Sequence, residues 1–249
     1  MSHPSFSRIK HRPWPLPGQA WKGRQTWCDL LFAHWPIPAE ELRPLVPEEL
    51  EIQEYDGTSW IGFVPLRMEG VSPRYVPALP WLSAFPELNL RLYVNYQDKP
   101  GVWFLSLDAT NPLAVWAART FFYLPYYNAK ISLDKNGKHI HFRSDRKEPG
   151  TSAQFNAFYK PVSDVYESEP GTLEHWLTER YCLYSQSPDG KLYRVDVHHH
   201  PWPLQKAEAE IFVNTLADPL NIRLPDASPL LHFAPRLDVA VWLPQLISE

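Results

Sequence analysis

Glu87-Leu-Asn-Leu-Arg-Leu-Tyr-Val-Asn-Tyr96 decides how the chain reads. Glu87, Asn89, Arg91, Tyr93 and Asn95 alternate with Leu88, Leu90, Leu92 and Val94. Successive side chains of a strand point to opposite faces, so this alternation predicts a strand with one apolar and one polar face. Asp98-Lys-Pro-Gly101 supplies turn residues, and Val102 to Asp108 follows as a second strand. Asn111 then caps a helix with Pro112 at its first position, running to about Tyr123. Leu124-Pro125 ends it, because a residue before proline avoids the helical region.

The pattern extends outward from this centre. Tyr127 to Leu133 and His139 to Ser144 surround Asn136-Gly137, a strong hairpin signal. Tyr181 to Gln186 and Lys191 to His199 flank Ser187-Pro-Asp-Gly190, and Leu50 to Gln53 and Ser59 to Arg67 flank Asp56-Gly57. Trp27 to Trp35 and Leu237 to Leu243 are further strands. Ala39 to Leu45, Thr172 to Arg180 and Gln205 to Leu216 are expected as helices, and Pro-rich Met68 to Leu82 as a loop. The fold class expected is α+β: a mainly antiparallel sheet, large enough to curl or close, with a few short peripheral helices. One domain covers 1–249, with residues 1–24 as an N-terminal arm.

Composition supports this. The 249 residues include 27 prolines, 10 glycines and 11 tryptophans. So many aromatics exclude a disordered chain, and so many prolines exclude a bundle of long helices. The formal charge of −4 gives no general attraction to nucleic acid. The one basic run (Arg8, Lys10, His11, Arg12, Lys22 and Arg24) is expected to be a solvated arm. It leads into no apolar signal region, and no uncharged apolar run approaches the ~20 residues of a membrane helix. The expected location is cytoplasmic, with no membrane partner. Cys28 and Cys182, far apart, form no metal motif and are expected to stay reduced.

No Gly-rich phosphate loop, Gly-x-Ser-x-Gly elbow or HExxH helix is present. His198-His199-His200 invites a metal reading with His34 or His232. On a strand, however, His199 faces away from its neighbours and no acidic residue is suitably spaced, so a polar strand end without metal is expected. Glu87, Asn89 and Arg91 share a strand face that is either solvated, with a weak ion pair, or lines a closed sheet and orients a ligand. Arg119, late on an apolar helix, either snorkels to water or is buried against an anion. Tyr126 and Tyr127 point to opposite faces and are core aromatics, unless one hydroxyl enters a pocket as a proton donor.

These segments carry a family resemblance. Asp29-Leu-Leu-Phe-Ala-His-Trp-Pro36, Phe85-Pro-Glu-Leu-Asn-Leu-Arg91, Pro100-Gly-Val-Trp-Phe-Leu-Ser-Leu-Asp108, Leu124-Pro-Tyr-Tyr-Asn-Ala129, Leu177-Thr-Glu-Arg-Tyr181, His199-His-Pro-Trp-Pro-Leu204 and Leu231-His-Phe-Ala-Pro-Arg-Leu-Asp238 resemble the YqjF-like family of uncharacterised bacterial proteins. That family is similar to the acetoacetate decarboxylase superfamily, and the resemblance implies a cone-like antiparallel β-barrel around a mostly apolar cavity. It also implies a strand glutamate, matched by Glu87. The superfamily's later segment carries Arg-Glu, then Gly-x-Pro, then a lysine pair, the first lysine forming a Schiff base. Here Arg119 and Pro125 match, but Thr120 replaces the acid, Tyr123 the glycine, and Tyr126 and Tyr127 the lysines. A phenol cannot form an imine. Lys130 shares strand parity with Tyr126 but has no neighbouring cation to depress its pKa, so a solvated lysine is expected.

The expectation is a protein that binds a small carbonyl or carboxylate compound without Schiff-base chemistry. Glu87 and Tyr126 are the candidate catalytic residues; Arg119, Asn89 and Arg91 are the candidate ligand-binding residues. The alternative is a lyase or hydrolase acting on a small oxo acid through Glu87, Arg119 and Tyr126. A third reading fills the cavity with Trp and Phe in a structural or partner-binding role. No cofactor is expected, and homo-oligomerisation stays open.

Overall fold

The computed structural model describes residues 3–79 and 83–248. An arm containing a short 3-10 turn, Pro4–Ser7, leads into β1 (Gly23–Ile37). Then follow α1 (Ala39–Leu42), β2 (Glu51–Ile52), β3 (Ser59–Pro73), β4 (Phe85–Tyr96), β5 (Lys99–Ala109) and α2 (Pro112–Phe122). Next come β6 (Tyr126–Asn128), β7 (Lys130–Asn136), β8 (His139–Arg146), β9 (Ala153–Pro161) and α3 (Leu173–Thr178). The chain ends with β10 (Cys182–Gln186), β11 (Leu192–His198), β12 (Gln205–Asn214), β13 (Leu230–Val241) and β14 (Gln245–Ser248).

The strands form one sheet in the order β14-β11-β10-β5-β4-β3-β1-β13-β12-β9-β8-β7, with β2 on β4 and β6 on β5. A further pairing of β11 with β13 sets Val197 opposite Val241 and His198 opposite Ala240. The ladder therefore returns on itself through β1, β3, β4, β5, β10, β11 and β13, while β12, β9, β8 and β7 extend from it as a wing. The sheet is mixed rather than wholly antiparallel: β5 runs parallel to β6 and to β10. Parallel neighbours need a crossover, and α2 supplies the one between β5 and β6.

Both faces of β4 are buried. Leu88, Leu90, Leu92 and Val94 join a core with Leu31, Phe63 and the wing residues Phe142 and Phe155. Glu87, Asn89, Arg91 and Tyr93 are buried on the opposite face. Phe32, Val64, Leu66 and Trp202 form a second core cluster inside the circuit. The solvated reading of the polar face is thus incorrect, because ring closure of the ladder turns that face inward.

Other expectations change for identifiable reasons. Gln205–Asn214 is a strand, not a helix. Its ladder with β9 runs from Ala207 opposite Pro161 to Asn214 opposite Phe155. Tertiary pairing outweighs the fraction of a kcal/mol per residue by which Ala, Glu and Lys favour helix. Asp56-Gly57 makes a small turn closed by a Tyr55–Thr58 bridge, but β2 pairs with β4 instead of completing a hairpin with β3. Met68–Pro73 continues β3, and residues 80–82 lie outside the described residues. The arm is docked rather than solvated: Arg12 and Asp196 form a 2.8 Å ion pair with both side chains buried.

Candidate functional site

The inward face of β4 presents Glu87, and β6 begins with Tyr126 beside Leu107 of β5. Tyr126 donates its hydroxyl to Glu87 Oε2 at 2.7 Å. Asn89, two residues on and on the same face, also hydrogen-bonds the Glu87 carboxyl, and its Oδ1 has no partner among the described residues. Burial pushes the Glu87 carboxyl up to about 7; the Tyr126 and Asn89 bonds oppose the shift and nearby Asp108 adds to it. Burial, and then Glu87 itself, raises the Tyr126 phenol well above its ordinary value, so it stays protonated and donates. Strand parity turns Tyr127 the other way, where its ring covers the Arg146 guanidinium at 4.4 Å. There Arg146 and Asp108 form a buried 3.0 Å ion pair.

Arg119 lies elsewhere. Of α2, only Val115 is buried. The Arg119 stem passes the helix end so that Nε donates to the Tyr126 carbonyl, while Nη2 lies 3.5 Å from both Glu148 carboxylate oxygens. Its side chain is 43% exposed, so Arg119 snorkels and does not join Glu87 and the Tyr126 hydroxyl. Arg91 is buried but follows Glu87 by four residues, a separation of roughly 13 Å along a strand. Its Nη2 lies 3.4 Å from the Tyr93 hydroxyl and from the Leu177 carbonyl, at the α3 end of the interior.

All ten lysines lie within the described residues and none is buried; Lys130 is exposed. The histidine run is held by hydrogen bonds. His198 Nε2 faces the Ser5 carbonyl at 3.0 Å, His199 Nε2 faces the Arg180 carbonyl at 3.1 Å, and His200 Nε2 meets Ser7 Oγ at 2.9 Å. A cleft of about 260 Å³ lies between the arm, Pro201 and Arg236. Another, of about 570 Å³, lies between β12 and residues 224–231. Neither is lined by Glu87, Asn89, Arg91, Arg119 or Tyr126.

Sequence reasoning overlooked Asp108 and Arg146 as a buried pair, and Arg180 as a buried cation. Asp108 stands at the end of a predicted strand and Arg180 at the end of a predicted helix, where charged residues are ordinarily solvated. Only the packing of wing strand β8, which carries Arg146, and the docking of α3 bury them.

A mainly β protein with a mixed sheet closed through β11 and β13, and a buried Glu–Tyr pair inside, is the class the fold and site define. The chain belongs to the DUF2071 family, described as an uncharacterized conserved protein, whose model matches residues 24–238. It is 49% identical over 235 residues to the uncharacterized protein YqjF of Bacillus subtilis (strain 168), covering 94% of this chain and 96% of that one. Among solved structures it is similar to the enduracididine biosynthesis enzyme MppR complexed with the condensation product of pyruvate and imidazole 4-carboxaldehyde (12% identity, TM-score 0.66, 92% of this chain and 90% of that one). It is also similar to acetoacetate decarboxylase from Legionella pneumophila (15%, TM-score 0.60, 96% and 93%). An acetoacetate decarboxylase-like enzyme from Sphingomonas wittichii RW1 is a third such structure (11%, TM-score 0.62, 96% and 98%). These likenesses establish a shared fold.

Proposed function

We propose that the protein binds a small carbonyl compound inside the closed circuit of strands, at Glu87, Tyr126 and Asn89, without imine chemistry. The circuit is then the counterpart of the decarboxylase-like barrel. One observation carries the reading: a buried carboxyl with no cation paired to it among the described residues is hydrogen-bonded to a buried phenol and held near half-ionisation at neutral pH. Its protonated form donates to a carbonyl oxygen; its ionised form accepts a proton. The open Asn89 Oδ1 accepts from a ligand hydroxyl or amide. With Arg119 outside, no guanidinium among the described residues pairs with Glu87, which favours the carbonyl over the carboxylate half of the expectation. The poised Glu87 also supports the catalytic alternative, a lyase or hydrolase acting on a small oxo acid through Glu87 and Tyr126. Phe32, packed edge-on against Trp202 at 4.9 Å between ring centroids, supports a structural reading in which the pair is a polar element of the core.

Calorimetric titration with a panel of small ketones and oxo acids tests this, with NMR of the same mixtures for turnover. Saturable binding that weakens at least tenfold in Tyr126→Phe is expected. Unchanged affinity in the variant, or a lowered Tm without any binding in the wild type, leaves the structural reading. Borohydride treatment with acetoacetate or pyruvate should leave the protein mass unchanged. A reduced adduct on any lysine would restore imine chemistry.

A further inference from the structure

The chain buries four arginines: Arg12, Arg91, Arg146 and Arg180. Two of them are neutralised, Arg12 by Asp196 and Arg146 by Asp108. The other two meet only neutral groups among the described residues. Arg91 Nη2 makes two long contacts, to Tyr93 and Leu177, and its Nε has no partner. Arg180, two residues beyond α3, donates from Nε to the Trp176 carbonyl at 2.8 Å and from Nη1 to Gln53 Oε1, and its Nη2 has no partner. Both guanidiniums lie over the Tyr93 ring, at 5.6 and 4.9 Å from its centroid.

Two buried histidines lie nearby on β1 and β13, His34 beside Arg91. His34 hydrogen-bonds the Tyr93 hydroxyl through Nε2 at 2.6 Å and leaves Nδ1 unpaired. His232 faces Glu174, at the rim, through Nε2 at 3.3 Å and also leaves Nδ1 unpaired. Burial, Arg91 and His232 hold His34 well below its ordinary pKa, so it adds no charge at neutral pH. Gly62 makes the arrangement sterically feasible: a Cβ there would lie 2.9 Å from the His34 ring and 3.5 Å from Arg91 Cγ. Arginine is always charged, and a buried charge without a counter-ion is among the costliest things a fold can carry. Aromatic faces offset a part of that cost and leave the guanidinium edges free to donate.

We propose that Arg91 and Arg180, held together over the Tyr93 ring at the α3 end of the interior, form an anion site for a small carboxylate. The fork of guanidinium donors matches a planar carboxylate. The site does not rest on the Glu87–Tyr126 reading, from which it is separated along β4.

Thermal unfolding at constant ionic strength tests it, with acetate, formate and phosphate each titrated against chloride. Acetate and formate, which carry no ketone for the Glu87–Tyr126 site, should raise Tm saturably, more than phosphate does. Arg180→Met should lose the shift and melt higher than the wild type without ligand, because an unpaired charge is removed and none is orphaned. Should Arg180→Met fail to fold, Arg180→Lys decides: it keeps the charge, loses the fork, and should weaken the apparent affinity at least tenfold. No saturable effect of any anion, or an undiminished shift in the Arg180 variants, would overturn the proposal. A phosphate effect equal to that of the carboxylates would replace the carboxylate assignment with a general oxyanion one.

Discussion

Glu87 ties the proposed site to the stability of the protein. Its carboxyl moves from 4.5 to about 7 on folding, chiefly by burial. Folding therefore takes up a proton that the unfolded chain binds only below about pH 4.5. That contribution to stability is complete below about pH 4.5 and is lost as pH rises through about 7; the full shift corresponds to at most about 3 kcal/mol. Asp108 acts in the same sense between its ordinary value and about 6, burial outweighing the Arg146 pair. Urea denaturation from pH 4.5 to 8 should show wild-type stability falling with pH and Glu87→Gln markedly flatter. Arg119→Ala should cost no more than about 1 kcal/mol, because its partner Glu148 is solvated as well; a loss of several kcal/mol in the same assay would show that its bond to the Tyr126 carbonyl anchors β6. The Glu87–Tyr126 pairing was legible from two strand parities and one short connection. Arg119 was misplaced because a side chain with three methylenes can leave the face its Cα belongs to.

At the scale of elements, local chemistry was most readable where backbone geometry is set by single residues. Asn111 Oδ1 accepts from the Leu113 and Ala114 amides, and Pro112 opens α2 as expected. Asn111→Ala should destabilise the protein by ~1 kcal/mol and Asn111→Asp by much less, measured by chemical denaturation. The helix ends at Phe122, two residues before Leu124, with Tyr123 as its cap at φ 54°. Asn136-Gly137 likewise makes its hairpin, with Lys135 opposite Ile140. β12 was not readable from propensity, although Ala207, Ala209, Ile211 and Val213 do alternate with Lys206, Glu208, Glu210 and Phe212. Its Ala, Glu and Lys content suggested a helix, and only the neighbouring β9 decides between the two periods. The docked arm had no local signature at all, since Arg12 is buried only because Asp196 is waiting on a strand 184 residues away.

For the molecule as a whole, circuit and wing share one core: Phe142 and Phe155 belong to the same cluster as Leu88, Leu90 and Leu92. They should unfold together. Phe142→Ala should cost 3–5 kcal/mol, on the order expected for emptying a buried aromatic site, and shift the fluorescence and circular-dichroism melts equally; separate transitions would show two independent units. Sequence supplied the strands of the circuit but not the whole wing, where β12 was read as a helix and β9 was not predicted, because nothing local says which segment joins which edge. The circuit itself has one more consequence. Seven strands whose ladder closes through β11 and β13 leave few unpaired backbone groups exposed, so the terminal edges of the path fall to β7 and to the four-residue β14. Open edges template the recruitment of other chains, and natural sheets blunt them with charge or brevity. β7 exposes Lys130 and Asp134 and β14 is only four residues long, features that oppose fibrillar growth at these two edges.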